Sequence, residues 1–312
     1  MTDITAIGEI LIDLTQSGVN ELGIPQFTAN PGGAPANLAV AASRLGAKAA
    51  FIGRVGNDSF GTFLRRTLTD NGVDDSGLSV DPAEATTLAV VSVDSTGERS
   101  FSFYRDPSAD VNLSAEDIDS TKLRDTGILH FGSVSLTAEP SRSATLYAVK
   151  KAKEAGALIS YDPNYRANLW PDEATAVGRM KEPIPFVDIL KVSDNELPLL
   201  TGTDDLEKGT KMLADMGIAL IFVTLGPDGA FFRFGNETGT CPTPPVKVAD
   251  TNGAGDTFFG AALSQIARLG SLDGLTPQEL RRITAFANKA AGITTGRHGA
   301  IPAMPTLEEM TR

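Results

Sequence analysis

The run Asp250-Thr251-Asn252-Gly253-Ala254-Gly255-Asp256 combines residue types that together can handle a phosphate. Two glycines and an alanine precede an apolar stretch of helical character, with Phe258, Phe259, Ala261, Ala262, Leu263 and Ile266. Glycine has no side chain to clash, so the backbone can come close to a ligand. The first turn of a helix offers unpaired N–H groups and the positive end of the helix dipole. Such a turn is an anion site. Asp256 plants a carboxylate in it, which costs electrostatic energy if a phosphate is to sit there. Removing a proton from a hydroxyl that attacks phosphorus would explain the acid. The plainer reading of the same residues is an Asp-Thr helix cap behind a glycine turn.

Further polar groups stand where an α/β sheet would gather ligands. Residues 4–14 form a near-continuous apolar run, as in a strand buried on both faces, and Asp13 breaks it at the far end. Ligands collect at the carboxyl ends of such strands, so Asp13 is either a site residue or a strand-ending acid. Pro31-Gly32-Gly33-Ala34-Pro35-Ala36-Asn37 is a second glycine turn leading into a helix that ends near Gly46. Asn37, one turn in, can both donate to and accept from a sugar hydroxyl, or the turn merely caps a buried helix. Asp162-Pro163-Asn164-Tyr165-Arg166 follows another strand, over 157–161, and Thr224 and Gly226 end a third. Glu196 opens a helix after the strand 189–192. It stands either near a magnesium ion through water or in a capping box.

The elements that must position these groups read as alternating strands and helices, the pattern of a doubly wound α/β sheet. Strands fall at 49–55, 128–134 and 218–225, the last turning through Gly226-Pro227-Asp228-Gly229 into 230–234. Helices fall at 60–68 with Asp58 as N-cap, at 141–155, and at 276–295 with Thr276 as cap and Pro277 first. Residues 86–93 and 99–104 alternate and are joined by Asp94-Ser95-Thr96-Gly97-Glu98, so they form an antiparallel hairpin. It belongs to a separate small sheet, to which residues 15–27 can add. Arg105 follows directly, either as a surface ion pair with Asp106 or as a lid residue closing over a sugar. No repeat, low-complexity tract or Pro/Gly/Ser-rich linker divides the 312 residues, so one domain is expected.

Composition narrows the function classes. Hydrophobic residues at 41% and charged residues at 21% are ordinary for a soluble globular chain. Lys+Arg of 27 against Asp+Glu of 39 gives −12, which repels nucleic acid and anionic membranes. A polyanion must then be bound by local devices: backbone amides, a metal ion or a few placed cations. Cys241 is the single cysteine, so no internal disulfide forms and a cytoplasmic location fits. It reads as a structural residue in a Thr/Pro-rich loop. No apolar run reaches membrane-spanning length and no secretory leader is evident. His130 and His298 are too far apart for a metal set and read as structural. The Walker A pattern and HExxH are absent, and no early GxGxxG supports a nucleotide-linked oxidoreductase.

Taken together, these motifs resemble the ribokinase-like (PfkB) sugar-kinase family, and within it the fructokinases, over nearly the whole chain. The signature D-T-x-G-A-G-D is matched at residues 250–256. Gly32-Gly33-Ala34-Pro35-Ala36-Asn37 and residues 54–61 match the N-terminal signature. Residues 103–110, 130–133, 162–166, 169–171 and 191–194 are fructokinase-like pieces.

The resemblance implies a ribokinase-like, mostly parallel sheet flanked by helices, with a β lid from roughly 13–31 and 86–111. It implies ATP-dependent phosphorylation of fructose to fructose 6-phosphate. Asp256 would be the base, and the amides of Gly253, Ala254 and Gly255 the anion hole. Asp13, Gly32, Gly33, Asn37, Arg105, Asn164 and Arg166 would hold the sugar. Thr224, Gly226, Gly229 and Asn288, with Gly253 and Gly255, would line the ATP site. Glu196 matches the acid of an N-x-x-E magnesium motif, although Ser193 replaces its Asn. Asp250, Asn252 and Gly299 match a monovalent-cation site, K⁺ in this reading. Within the family, 2-keto-3-deoxygluconate, ribose or a nucleoside are the competing substrates. A catalytically silent sugar sensor is the competing class. An exposed lid edge suggests a homodimer.

Overall fold

The structure, a computed structural model, describes residues 1–93 and 99–311. The expected hairpin turn at residues 94–98 lies outside them. The strands are β1 (Thr2–Ile7), β2 (Leu11–Val19), β3 (Pro25–Gly32), β4 (Ala49–Gly56), β5 (Asp74–Asp81), β6 (Leu88–Val93), β7 (Arg99–Tyr104), β8 (Thr126–Gly132), β9 (Leu158–Asp162), β10 (Ile189–Ser193), β11 (Leu220–Thr224), β12 (Ala230–Phe234) and β13 (Glu237–Cys241). Nine of them form one sheet in the order β13-β12-β11-β10-β9-β8-β1-β4-β5. From β11 to β5 neighbours run parallel; β12 and β13 close one edge as antiparallel strands. The other four form a smaller sheet, β3-β2-β6-β7, with β2 and β6 parallel and the outer pairs antiparallel.

The central strands are apolar on both faces because helices cover both. One face packs against helices Ser141–Glu154, Glu173–Lys181 and Leu206–Asp215 through Ala144, Ala148, Ala176, Met180 and Leu213. The other packs against helices Ala34–Arg44, Ala254–Leu269 and Pro277–Thr295. Phe258 and Phe259 stand edge-on to Phe222 of β11, at 5.6 and 6.5 Å between ring centroids. Each fully buried ring contributes roughly 1.5–3 kcal/mol, anchoring the helix whose first turn carries Asp256. That helix crosses helix Ala34–Arg44 at Gly260, where a Cβ would come within 2.7 Å of the Leu38 carbonyl oxygen. The close crossing brings the first turns of the two helices together.

Three expectations need correction. Residues 4–14 are not one strand. Gly8, at φ 147°, breaks the run, so β1 joins the central sheet and β2 crosses into the small one. Asp13 therefore lies beside Asn30 in the small sheet, not at the carboxyl end of a central strand. The lid segment was expected to run to 111, but the small sheet ends at Tyr104; residues 109–112 form a 3₁₀ turn outside it. Cys241 is not in a loop but ends β13, where it is buried. Strands β5 and β13 were not anticipated: β5 mixes Asp, Ser and Gly with few apolar residues, and β13 is Thr/Gly-rich. Among the described residues no helix is long and apolar enough to cross a membrane.

Candidate active site

The carboxyl ends of β9 and β10, the first turns of helices Ala34–Arg44 and Ala254–Leu269, and the small sheet surround a cleft of about 450 Å³. Leu11, Asp13 and Phe103 reach it from the small sheet, and Asn37 from the first helix. Asn164 and Arg166 come from the loop after β9 and Lys191 from within β10, and the whole run 251–256 closes it.

Gly253 is the N-cap of helix Ala254–Leu269, in the left-handed region at φ 72°, so the turn that follows presents its amides free of side-chain caps. Asp256 lies in that first turn. Asn37 Nδ2 donates to Asp256 Oδ2 at 2.8 Å. Burial lifts the Asp256 carboxyl above the ordinary Asp value. The Asn37 hydrogen bond and the charges of Lys191 and Arg166 pull it back, and Glu196 opposes them. An acid raised this way is a stronger proton acceptor once ionised. Across the cleft, burial pushes Asp13 up to about 6 against a side-chain bond from Asn252 and the Arg166 charge. Asn164 has left-handed backbone at φ 46°, a conformation Asn tolerates, and its N–H donates to Asp162 Oδ1 at 3.2 Å. Arg166 is exposed at the rim, and its Nη1 donates to the Tyr165 carbonyl at 3.2 Å.

Several other expected site residues do not line this cleft. Arg105 is buried and is not among the residues that line the cleft. Its Nε pairs with Asp110 at 2.8 Å, Nη1 donates to Thr137 Oγ1 at 2.6 Å, and Nη2 to the Val134 carbonyl at 3.1 Å. The residue after β7 leaves the small sheet, and this guanidinium ties its own loop to the residues that follow β8. Gly32 pairs with Leu11 in the small sheet and leaves room for Asp13, whose Oδ2 would lie 2.3 Å from a Cβ there. Gly33 does line the cleft.

Thr224, Gly226, Gly229 and Asn288 do not line it. Asn288 is buried, and its Nδ2 donates to the carbonyls of Cys241 and Pro242 at 2.8 and 3.3 Å. Gly229 sits against the same strand end, with a Cβ position 2.0 Å from the Cys241 carbonyl.

Glu196 makes the capping bonds: Oε2 accepts from Ser193 N at 2.8 Å and Ser193 Oγ at 3.0 Å. Its Oε1 accepts from Tyr165 N at 2.7 Å, tying the loops after β9 and β10 together. Asp250 likewise accepts from Asn252 N and Gly299 N, both at 3.0 Å, tying the anion loop to the Gly299 turn. Among the described residues no group of three or more His, Cys, Asp or Glu forms a metal cage. His130 is buried between Ser160 and Phe259, and burial and Lys191 lower it to about 3, so it stays neutral.

Glu9, Lys191 and Asp162 are at the site or beside it, and the sequence reading assigned them no role. Glu9 is buried at the cleft, with Oε1 accepting from Ala34 N at 3.1 Å and Oε2 without a partner. Lys191 pairs with Asp162 at 2.9 Å. The available signal was a lone charge inside an apolar strand run, which has no place in a core unless it is paired or functional.

A buried carboxylate in the first turn of a helix with no side-chain cap, in a cleft lined in part by a small sheet, is the equipment of a phosphotransferase acting on an alcohol. Comparison with known proteins identifies the kind. A family model described as pfkB family carbohydrate kinase matches residues 1–307, and the chain belongs to that family. It is 45% identical to the probable fructokinase-2 of Arabidopsis thaliana over 307 residues, covering 97% of this chain and 93% of that protein. The fructokinase of Xylella fastidiosa with bound ATP matches with TM-score 0.91 and 32% identity, over 100% of this chain and 98% of that one. A double mutant of the Vibrio cholerae O395 fructokinase, in a form with fructose, ADP and potassium ion, matches with TM-score 0.89 and 37% identity, over 99% and 96%. The fold is thus ribokinase-like, and the chain is a sugar-kinase phosphotransferase.

Proposed function

We propose that this protein is a fructokinase that moves the γ-phosphoryl group of ATP to D-fructose, giving D-fructose 6-phosphate. The observation that carries the reading is the Asn37–Asp256 bond at the foot of the amide-lined turn. The fructose and ADP in the Vibrio cholerae relative support the substrate pair. Asp256 takes the proton from the attacking hydroxyl. Because phosphoryl transfer is loose, the proton moves late and electrostatic stabilisation dominates. Asn37 leaves one Asp256 oxygen for the substrate by occupying the other. The N–H groups of Gly253, Ala254 and Gly255 face the migrating charge. Asp13, Asn164 and Arg166 hold the sugar, with Asp13 accepting from hydroxyls. Phe103 and the small sheet exclude water, so that the sugar attacks in its place.

ATP carries Mg²⁺, which keeps several waters and is bound mainly by phosphates. Glu196 fits an outer-sphere role, since both of its oxygens already accept backbone N–H groups and its charge still acts on Asp256 and Lys191. When bound, the ion offsets phosphate charge. Asp250 fits a nearby K⁺ in the same indirect way, together with Asn252 and Gly299. Thr224, Gly226 and Gly229 border the adenosine end, and Asn288 shapes that wall from behind.

The 312 residues act as one kinase unit whose small sheet is the lid, and the enzyme works in the cytoplasm. Exposed Val19, Leu22, Ile24, Phe27 and Tyr104 on or beside that sheet support a homodimer through it, which light scattering tests. A coupled ADP-release assay with fructose, ribose, a nucleoside and 2-keto-3-deoxygluconate tests the substrate. Fructose is expected to give the highest kcat/KM, and activity confined to the keto acid would overturn the choice.

A further inference from the structure

We propose that Lys191 is a catalytic residue whose ammonium group donates to an oxygen of the phosphoryl group as it moves from ATP to the sugar. The inference rests on the kinase reading above and adds a cation to it. Lys191 lies in β10, an interior strand of the central sheet, between buried Leu190 and Val192. Its side chain is only 7% exposed, yet it lines the cleft. Nζ stands 3.0 Å from where a Cβ on Gly255 would be, so it packs directly against the anion loop. One of its three N–H donors goes to Asp162 Oδ2 at 2.9 Å.

A buried ion pair is weak evidence for stability, because a well-packed apolar pair is often as good or better. Apolar neighbours on β10 would accept such a pair. The cleft, moreover, carries the carboxylates of Glu9, Asp13 and Asp256 in a chain of net charge −12. Among the described residues its lining cations are Lys191 and Arg166, and Arg166 is exposed at the rim. Lys191 is thus the buried cation positioned for the polyanion. Asp162 is the positioning residue that holds Nζ against the loop, while Asp162 Oδ1 also receives the Asn164 N–H.

In the transfer, the bond from phosphorus to the β,γ-bridging oxygen breaks and its electron pair leaves with ADP. The sugar oxygen forms the new bond to phosphorus, and its proton passes to Asp256. Lys191 keeps its proton throughout and offsets charge on the oxygens of the migrating group.

The test uses Lys191→Met and the double variant Lys191→Met/Asp162→Asn, which avoids leaving Asp162 charged and alone if the single variant folds poorly. Losing one such donor is expected to lower kcat by roughly 10²–10³-fold. Calorimetry should show a non-hydrolysable ATP analogue binding more weakly by about tenfold or more, with ADP and fructose affinities changed by less than about twofold. A folded variant with kcat near wild type, or equal weakening of ADP and the ATP analogue, would overturn the assignment. If wild-type protein phosphorylated no sugar, the fructokinase reading would fail first; the contrast between analogue and ADP binding would still decide the place of Lys191.

Discussion

Glu9→Gln separates electrostatic cost from packing at the cleft. Glu9 is 3% exposed, and burial pushes its carboxyl from the ordinary 4.5 up to about 7, against a partial offset from its own and the Ala34 backbone N–H groups and Arg105. The folded state therefore holds the proton more tightly than the unfolded state. Stability from this group is fully present below pH 4.5 and is lost as pH rises through 7. Linkage between those two values removes roughly 2–3 kcal/mol between pH 5 and pH 8. Gln keeps an oxygen for the Ala34 N–H but does not titrate. Its amide nitrogen takes the place of the unpartnered Oε2, a penalty independent of pH. Asp13 and Asp162, each raised to about 6 chiefly by burial, behave alike in both proteins and cancel in the comparison. Urea unfolding of wild type and variant at pH 5 and pH 8 reads the difference. The variant should gain roughly 2–3 kcal/mol on wild type over that interval, whatever its stability at pH 5. Parallel pH dependences would refute the claim that Glu9 is an uncompensated buried acid.

Two further outcomes follow from the site. Asn37→Ala removes the donor that lowers the Asp256 pKa, so the acid limb of kcat/KM should move to higher pH, because the ionised form is the active one; an unmoved limb in the pH–rate profile would contradict this. Gly253→Ala places a Cβ 2.8 Å from Ala300 Cβ at a φ of 72° and should cost roughly 1–3 kcal/mol in urea unfolding while lowering kcat more than it changes fructose affinity; unchanged stability and rate would show that the turn tolerates a side chain.

The anion turn was legible because its meaning is local: glycines, a helix start and an acid lie within seven residues. The Asp58 and Thr276 caps and the 99–104 half of the hairpin were legible for the same reason. The break at Gly8 was not, since an apolar run reads alike whether it stays in one sheet or passes into another. The burial of Arg105 was not legible because, besides nearby Asp110, its partners Val134 and Thr137 lie some thirty positions away. Lys191 and Asp162 meet only because β10 pairs with β9. Glu9 was hidden in the apolar stretch that became β1 and β2. In each case the missing information was a long-range contact, which residue pattern alone does not carry.

The central claim is that Asp256 accepts the proton of the attacking hydroxyl. Steady-state kinetics of Asp256→Asn, with fructose and ATP affinities measured separately by calorimetry, tests it most directly. The account predicts a fall in kcat of at least roughly 10²–10⁴-fold with both ligands still bound. A variant turning over at near wild-type rate would contradict it.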